Sequence, residues 1–559
     1  MSNSAASASS ATYRPWLLSL TYASAWGYAA AYCHKARENS DSELYTVGFL
    51  FACFMATVLL VKALDDRGKL KRHRKMMRRF KASEKAHGPA AWATKKDLKQ
   101  RRLVGSNAGI FLGMHNGKEI WESNHELSIN LFGAPGTGKS SGPLATTLLN
   151  ASARTVKERR IASSFIVNDS AGDLYGVASG CLRRRGYKVV LLSCWANQLS
   201  ELVGEVIGDD GLNLCNNIRL SDDIGVISDE AKFLTKLLVP NEPPNTSEEN
   251  KFFNRGGRQI LEFIVLYLVA THQKPTLGQI KEIASDPTYL HELYVDAIDR
   301  ASHHVAKLAS TLLGMKQGAA ETYAAYQGVV DGALDGYSDF GAVGQHLNGV
   351  GFDPRELKYG EQPVAAFLHY PAKRIVTHHA LLNAELQFIL ESVCSGPRGR
   401  NVTALLDEIF GARYIDSLLR FLSEGRKHGL RTVLGWQDAA QAELIYSKPG
   451  FQQIIANCQV LWATGVREAG FAETLKQQIG LRAISGGDLS LNNRSSSTPG
   501  DLSLGMSQKG LPMIHDLRTQ LGADNALLLH TDMPPCVLQK RPYYLSRFAK
   551  FAGRNPYAG

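Results

Sequence analysis

The stretch Gly133-Ala-Pro-Gly-Thr-Gly-Lys-Ser140 decides the fold of this 559-residue chain. It matches the phosphate-binding pattern G-x-x-x-x-G-K-[ST] at every defined position. The residues before it, 126–132, have the apolar character of a buried strand, and residues 143–149 have the composition of a helix opening. A strand, a glycine-rich loop and a helix in this order predict an α/β domain that binds a nucleoside triphosphate.

Each part of this loop has a chemical role. Its glycines allow backbone N–H groups to turn toward phosphate oxygens, and the following helix N-terminus adds partial positive charge. Lys139 is expected to contact the β- and γ-phosphates, the Ser140 hydroxyl is expected to bind Mg²⁺, and Thr137 is expected to be permissive filler. The predicted nucleotide-binding residues are Gly133, Ala134, Pro135, Gly136, Thr137, Gly138, Lys139, Ser140 and Ser141. The alternative, a glycine-rich turn that matches by chance, is disfavoured by the flanking strand and helix.

Two uncharged segments near the N-terminus, residues 15–33 and 44–61, are long enough to cross a bilayer as helices. Trp16, Tyr32 and Tyr45 stand where interfacial aromatic residues are expected. The sequence therefore predicts a transmembrane hairpin over residues 1–66. A cleaved signal peptide ending near residues 29–31 is the alternative for the first segment, and it would leave the second segment as an anchor.

Basic charge follows the second segment. The stretch from Arg67 to Arg79 carries eight Lys or Arg residues, against two in the loop 34–43. By the positive-inside rule, both termini and the nucleotide-binding domain are expected in the cytoplasm. With a net charge of +11, the same tract could instead be a nucleic-acid patch, but its position directly behind a span favours contact with membrane lipid.

Cysteine and histidine residues give no metal signal. The eight cysteines form no C-x-x-C pair and have no companion histidines at zinc spacing, which predicts reduced cysteines in a cytosolic body. His378 and His379 are expected to be surface or packing residues.

A second element of the nucleotide site is predicted far downstream. Residues 401–408 form an apolar strand that ends in Asp407 and Glu408, the form of a Walker B element. Asp407 is expected to hold Mg²⁺, and Glu408 to orient the attacking water. The next predicted strand, 430–437, ends in Gln437, a candidate sensor of the γ-phosphate, although a surface or capping glutamine is the plain alternative.

Asp407 lies 268 positions after Lys139, and this distance indicates an insertion. Between about 221 and 350 the apolar pattern has the helical period, whereas short apolar runs on either side predict strands. These runs are residues 164–168, 187–192, 363–368 and 525–530. The predicted order is therefore a first part of the nucleotide-binding domain (67–220), an all-α domain (221–350), and a second part (351–559) containing a mobile loop at 485–510.

Over nearly its whole length the chain resembles the coupling proteins of type IV secretion and conjugation systems, the inner-membrane ATPases of the VirD/TraG class. The resemblance rests on the two-span N-terminus and on five stretches in the family's order. These are GAPGTGKSSGPLATTLLN, IVNDSAGDLYGVASGCLRRRGYKVVLLS, NKFFNRGGRQILEFIVLYLVA, LLDEIFGARYIDSLLRFLSEGRKHGLRTVLGWQDAAQ and IIANCQVLWATGVREAGFAETLKQQIG.

The resemblance implies a RecA-like domain that binds ATP and Mg²⁺, an inserted all-α domain, and a homo-hexamer around a channel. It also implies that Arg426 reaches the ATP of a neighbouring subunit, whereas the residue alone would suggest a solvated helix end. One departure stands out. Where the family commonly has Asp-x-Lys-Gly-Glu, this chain has Asp169-Ser-Ala-Gly-Asp173, which lacks the lysine and shortens the final acid.

Two functions fit the resemblance. In the first, the ATPase recruits relaxase-bound single-stranded DNA and drives it toward the secretion channel, gripping phosphates in a basic pore. In the second, it is a receptor for effector proteins, and ATP is used for unfolding or gating. Net positive charge favours the first, and basic stretches such as 183–185 and 398–400 would suit a pore, although solvated charged faces explain them equally well. A soluble translocase of the FtsK or HerA type fits neither the two spans nor the helical insert. Other inner-membrane secretion components are the remaining expected partners.

Overall fold

The computed structural model describes residues 24–32, 34–35, 47, 49–61, 92–152, 162–243, 246–337, 340–466, 468, 470–472, 474–475 and 521–557. The chain divides into two compact units. The smaller unit comprises residues 1–107, 112–121 and 472–541, and the larger unit comprises 108–111, 122–471 and 542–559. The domain limits expected from the sequence follow a different division, at 66/67, 220/221 and 350/351, and they stay a prediction.

The strands are β1 (Ile110–His115), β2 (Lys118–Glu122), β3 (Ile129–Gly133), β4 (Ser164–Asn168), β5 (Lys188–Leu192), β6 (Val364–Leu368), β7 (Val402–Leu406), β8 (Leu430–Trp436), β9 (Val460–Thr464), β10 (Asn525–His530) and β11 (Met533–Gln539).

The helices from residue 92 onward are α1 (Lys95–Gln100), α2 (Ala145–Asn150), α3 (Asp173–Arg184), α4 (Ala196–Val203), α5 (Ile224–Leu238), α6 (Glu248–Ala270), α7 (Leu277–Ser285), α8 (Pro287–Arg300), α9 (His303–Gly318), α10 (Ala320–Leu334), α11 (Gly341–Asn348), α12 (Glu356–Tyr359), α13 (Ala372–Cys394), α14 (Leu418–Glu424) and α15 (Ala439–Asn457).

Seven parallel strands form the core of the larger unit, in the order β9-β3-β8-β7-β4-β6-β5. Most of their residues are buried, as expected for a parallel sheet whose strands are covered on both faces. This is why they appear in the sequence as continuous apolar runs. The prediction for 164–168 matches β4 end to end, and those for 187–192 and 363–368 begin one residue before β5 and β6.

The strand order brings three loops together. In a parallel sheet all carboxyl ends meet at one edge, where ligands of α/β proteins bind. Strand β3 leads into the phosphate-binding loop, its neighbour β8 leads into Gln437, and β7, beside β8, leads into Asp407. The phosphate-binding loop, Gln437 and Asp407 are far apart in sequence, but they follow adjacent strands of the sheet.

Described elements between residues 221 and 350 are all helices, α5 to α11, in agreement with the helical period of this region. Side-chain caps fix several of their starts. The hydroxyl of Ser247 accepts a hydrogen bond from the backbone N–H of Asn250, and Thr276 forms a reciprocal capping box with Gln279. Helix α6 packs against α10 where Gly256 leaves room for the ring of Tyr326.

The smaller unit contains antiparallel strands that the sequence analysis did not predict, with the exception of β10, which matches the run 525–530 end to end. Strands β10 and β11 pair antiparallel, and β1 pairs with β11. Strands β1 and β2 are joined by Asn116 and Gly117, both with positive φ (50° and 79°). An Asn-Gly pair is the preferred sequence for a two-residue hairpin turn, so the sequence does contain a local signal for this hairpin.

Described residues in the two N-terminal apolar segments are helical, and the segments contact one another. The rings of Trp26 and Phe51 lie 5.7 Å apart, and those of His34 and Phe49 lie 5.5 Å apart. Among the described residues no helix combines the length and the apolar character needed to span a bilayer. The predicted spans 15–33 and 44–61 extend beyond the described residues, and the hairpin stays a prediction. The basic tract 67–79 and the predicted loop 485–510 lie outside them.

Candidate functional site

The phosphate-binding loop adopts the conformation that its glycines permit. Gly136 and Gly138 have φ of 73° and 92°, values that residues with a side chain rarely adopt. The Thr137 hydroxyl donates a hydrogen bond to the carbonyl of Ala134 at 2.6 Å and lies where a side chain on Gly133 would stand. Thr137 was expected to be filler; in the structure it braces the loop from inside.

Lys139 and Ser140 lie at the end of the loop, where a single π-helical turn (Ser140–Leu144) leads into α2. The Lys139 ammonium donates to the carbonyl of Gly133 across the loop, and the Ser140 hydroxyl donates to Asp407 Oδ2. Lys139 is 7% exposed. Burial lowers its pKa, while the carboxylates of Asp407 and Glu408 act in the opposite direction. A buried ammonium facing two carboxylates is suited to hold phosphate close to a metal ion.

Asp407 follows β7 and is 8% exposed. Burial raises its pKa to about 6, although the hydrogen bond from Ser140 and the charge of Lys139 lower it. Its Oδ1 is buried and has no hydrogen-bond partner among the described residues. The side-chain amide of Asn168, at the end of β4, donates a hydrogen bond to the backbone carbonyl of Asp407 at 3.1 Å, and this bond fixes the end of β7.

The residues present fit a magnesium ion. A serine hydroxyl touches one carboxylate oxygen while the other oxygen is buried and free of protein donors, and Mg²⁺ prefers a few such oxygen ligands together with phosphate oxygens and water. Ser140 and Asp407 are the residues that would hold it. The ion would supply charge stabilisation at the phosphates.

Glu408 is exposed and has left-handed backbone angles (φ 57°, ψ 49°) at the start of the 3₁₀ turn Ile409–Ala412. A non-glycine residue in this region is uncommon and is often found at functional sites. Glu408 is thus exposed while Asp407 is buried, and the charge of Glu408 still acts on both Lys139 and Asp407.

Gln437 directly follows β8, is half-buried, and pairs with Gln441 of α15 through 3.1 Å and 3.3 Å hydrogen bonds. It lines a cavity of about 420 Å³ together with Ala134 and Pro135 of the loop and Thr464 of β9. The structure therefore brings Gln437 to the loop that is predicted to bind phosphate.

Arg426 is exposed in the 3₁₀ turn Gly425–His428, which precedes β8. Gln437 follows the same strand, so the seven residues of β8 separate the two ends by roughly 20 Å at 3.3 Å per residue. Arg426 is thus at the opposite edge of the sheet from the loop of its own chain. The structure does not bring it together with Lys139, Ser140 and Asp407.

An acidic pair beside this site had no role in the sequence analysis. Asp169 directly follows β4 and is 2% exposed, and its two carboxylate oxygens accept hydrogen bonds from the backbone N–H groups of Gly172 and Tyr175. Asp173 begins α3. Burial, and then the charge of Asp173, raise the pKa of Asp169 well above its usual range.

Other predicted positions have ordinary structural roles. The guanidinium of Arg185 donates to the carbonyls of Leu149 and Ala151, and that of Arg400 to the carbonyl of Gly360, so both help to order loops. His378 packs against Trp195 with ring centroids 5.0 Å apart. All seven cysteines in the described part of the chain are unpaired.

The fold and this site define a P-loop nucleotide-binding protein of the α/β class. The chain belongs to the family described as "Type IV secretory system Conjugative DNA transfer", whose model matches residues 81–557. A curated relative, the type IV secretion system-coupling protein VirD4 of Bartonella henselae (strain ATCC 49882 / DSM 28221 / CCUG 30454 / Houston 1), is 22% identical over 182 residues. That match covers 33% of this chain and 28% of the relative's length.

Solved structures support the fold. The conjugative coupling protein TrwBdeltaN70, in a trigonal form with sulphate, has a TM-score of 0.56 at 16% identity, covering 84% of this chain and 95% of that chain. Two further TrwB structures, one with the non-hydrolysable ATP analogue ADPNP and one with ADP and Mg²⁺, each have a TM-score of 0.54 at 15% identity. They cover 81% and 80% of this chain, and 93% and 92% of theirs. The large α/β sheet expected from the sequence is therefore confirmed.

Proposed function

We propose that this protein is an inner-membrane coupling ATPase that recruits substrates to a type IV secretion system and uses ATP hydrolysis to pass them to the secretion channel. The observation that carries the proposal is the hydrogen bond between Ser140 and Asp407, which joins the P-loop to the end of β7. These residues are 267 positions apart, and their contact forms the oxygen-rich corner that Mg²⁺ bound to ATP requires. Membership in the conjugative DNA-transfer family supports the cellular role.

In this mechanism the chain binds the phosphates of ATP, holds Mg²⁺ and orients the attacking water. Backbone N–H groups of residues 133–140 and the Lys139 ammonium bind the phosphates, and Ser140 and Asp407 hold Mg²⁺. Glu408 orients the attacking water, and Gln437 contacts the γ-phosphate from the end of β8. Gln437 is suited to this role because it lines the same cavity as Ala134 and Pro135.

The site is proposed to be completed by a second copy of the chain. Arg426 is exposed at the edge of the sheet opposite its own loop, so it can stabilise a γ-phosphate only in a neighbouring subunit. A homo-hexamer arranges such contacts in a closed ring. An arginine supplied from a partner typically accelerates phosphoryl transfer by about 10³–10⁵-fold.

The proposed location is the inner membrane, with both termini and the ATPase body in the cytoplasm. Apolar residues 24–32 and 49–61 are helical and touch through Trp26 and Phe51, as the two arms of a membrane hairpin would. The eight basic residues of 67–79 are suited to the cytoplasmic face.

We infer that the cargo is relaxase-bound single-stranded DNA, because a net charge of +11 suits a polyanion better than a mixed set of proteins. The second candidate is a receptor for effector proteins only, in which ATP drives unfolding or gating. The same nucleotide site serves both functions, so the distinction depends on the cargo alone.

The test measures ATPase activity of the purified full chain with and without single-stranded DNA. We expect Mg²⁺-dependent hydrolysis that DNA stimulates, with DNA binding that weakens steeply as salt rises. Lys139→Ala is expected to abolish hydrolysis, and Lys316→Ala, on the helical insert, is the matched control. Hydrolysis without stimulation or salt-dependent binding would favour the effector receptor, and absence of nucleotide binding would refute both.

A further inference from the structure

A segment rich in basic and aromatic residues follows the last strand. Residues 542–557 contain three Lys or Arg residues, five aromatic residues and no Asp or Glu. The basic residues, Arg547, Lys550 and Arg554, are all exposed, and Tyr544 and Tyr557 are 56% and 62% exposed. None of these side chains has a part in the mechanism given above.

The segment is fixed on α3 by close backbone contacts. The N–H of Gly553 donates to the carbonyl of Val177 at 2.8 Å, and the Tyr557 hydroxyl donates to the carbonyl of Ala171 at 3.0 Å. A Cβ atom on Gly553 would stand 2.4 Å from the carbonyl oxygen of Gly176, so only glycine allows this approach. The segment is therefore part of the folded surface, and it runs along α3 toward the start of that helix.

Three cations meet at Phe551. The guanidinium carbon of Arg185 lies 4.7 Å from the centroid of the Phe551 ring, and Nζ of Lys550 lies 5.0 Å from the same centroid. Nη2 of Arg184 donates a hydrogen bond to the backbone carbonyl of Phe551 at 3.4 Å. The charges of Arg185 and Lys550 are thus within about 10 Å of each other, roughly one Debye length in physiological salt, so their repulsion is only partly screened.

No carboxylate neutralises this cluster of Arg184, Arg185 and Lys550. In the part of the chain that the structure describes, none of the three forms an ion pair. The guanidinium of Arg185 is bonded instead to the backbone carbonyls of Leu149 and Ala151, which leave its charge in place. Like charges held together destabilise the folded chain, whereas a bound polyanion would offset their repulsion. The cluster is therefore suited to bind phosphate groups.

The cluster lies away from the nucleotide site. Arg184 ends α3, and β5 begins at Lys188, so the cluster is at the amino-terminal edge of the parallel sheet. The nucleotide site is at the carboxyl edge, and the 12 residues of α3 span roughly 18 Å at 1.5 Å per residue. A polyanion bound at the cluster would therefore leave the ATP site accessible.

We propose that the cluster of Arg184, Arg185 and Lys550 grips the phosphate backbone of single-stranded DNA. This deepens the proposed function and rests on it, because it takes DNA as the cargo. Proteins bind single strands without sequence preference where basic side chains hold phosphates near exposed aromatic rings on which bases stack. Tyr544 and Tyr557 offer such rings, one on each side of Lys550 in the sequence.

The composition of the exposed surface favours DNA over anionic lipid as the occupant. A membrane surface offers the same negative charge, but segments that lie on membranes also insert apolar side chains. The large apolar residues exposed in the segment 542–557 are the two tyrosines, and no Leu, Ile, Val or Phe of this fully described segment is exposed. Membership in the conjugative DNA-transfer family points to the same occupant.

The experiment measures DNA binding by the full chain in nanodiscs of neutral lipid, so that no lipid charge competes with DNA. The probe is a fluorescent oligothymidine, and affinity is measured over a range of salt concentrations. For the double variant Arg184→Gln, Lys550→Gln we expect affinity to fall about 10-fold or more at about 0.1 M salt. The slope of log affinity against log salt should decrease by about 1.4, since each lost contact to a single strand removes about 0.7. ADP binding and basal ATP hydrolysis should stay at the level of the parent chain.

Lys316→Gln is the matched control. Lys316 also lies over an aromatic ring, 5.8 Å from the centroid of Tyr323, but it belongs to α9 of the helical insert. The same loss of charge there is expected to leave the slope unchanged. If the melting temperature shows that the double variant is unstable, Lys550→Gln alone tests the proposal. Its expected decrease in slope is about 0.7, and it removes no hydrogen bond among the described residues.

A parent chain that binds DNA, with Lys550→Gln and the double variant matching Lys316→Gln in affinity and slope, would overturn the proposal and leave the proposed function intact. A parent chain that shows no salt-dependent DNA binding would refute the DNA cargo and this proposal together. The two failures are distinguishable because only the second is visible in the parent chain.

Discussion

Replacement of His346 by Gln should destabilise the protein in a pH-dependent way. His346 is 1% exposed on α11, its Nδ1 contacts Asp209 Oδ2 at 2.7 Å, and its Nε2 contacts Glu385 Oε1 of α13 at 2.7 Å. The bridge therefore ties the last insert helix to the segment before the insert and to the helix after β6. Loss of one member of a buried ionic group typically costs about 3–5 kcal/mol.

The pKa of His346 gives the size of its contribution to stability and the direction in which that contribution changes with pH. Burial alone would lower it, but the carboxylates of Glu385 and Asp209 outweigh burial and raise it from 6.5 to about 10. At 1.36 kcal/mol per pKa unit, the gap corresponds to about 5 kcal/mol. Because the folded state holds the proton more tightly, this stability is fully present below pH 6.5 and is lost as the pH rises through 10.

The assay is the melting temperature of the parent chain and of His346→Gln across the range from about pH 6.5 to 9.5. Over that range the free energy of unfolding of the parent chain falls by roughly 4 kcal/mol, a contribution that His346→Gln lacks at every pH. For a cooperative unit of about 400 residues, at about 2 cal/mol/K per residue, the gap between the two melting temperatures should shrink by about 5 °C. His303→Gln, an exposed change on α9, is the control. A gap that stays constant with pH would refute the reasoning.

Two glycines carry further predictions. Gly435→Ala places a methyl group 3.0 Å from Asp407 Oδ1 and 3.2 Å from the Leu406 carbonyl, so we expect weaker Mg²⁺-dependent ADP binding without a large change in melting temperature. Gly256→Ala drives its methyl group into the Tyr326 ring and should cost about 1–3 kcal/mol in thermal unfolding. Gly314→Ala, in a helix with open space around it, should be neutral or stabilising, and a similar loss there would contradict the packing argument.

The parallel core could be predicted from sequence because burial on both faces selects apolar residues along most of each strand. In the run 164–168 the three central residues, 165–167, are apolar for this reason, and the run coincides with β4. The hairpin of β1 and β2 has no comparable apolar run, and its sequence signal is the turn pair Asn116 and Gly117 alone.

Contacts between distant residues lay beyond the sequence. Asp209 and Glu385 are 137 and 39 residues from His346, and no local pattern shows that three such residues meet. Likewise, the segment 169–173 was noticed only as a departure from the family's motif. Its position beside Asp407 depends on the register of β4 against β7, which the fold alone determines.

The order of the strands explains why Arg426 lies apart from the other predicted residues of the site. Lys139, Asp407 and Gln437 all follow strands and so collect at the carboxyl edge, whereas Arg426 precedes β8 and is left at the other edge. No rearrangement of side chains can close a gap of roughly 20 Å along a strand. If Arg426 acts in hydrolysis, it must therefore come from another subunit.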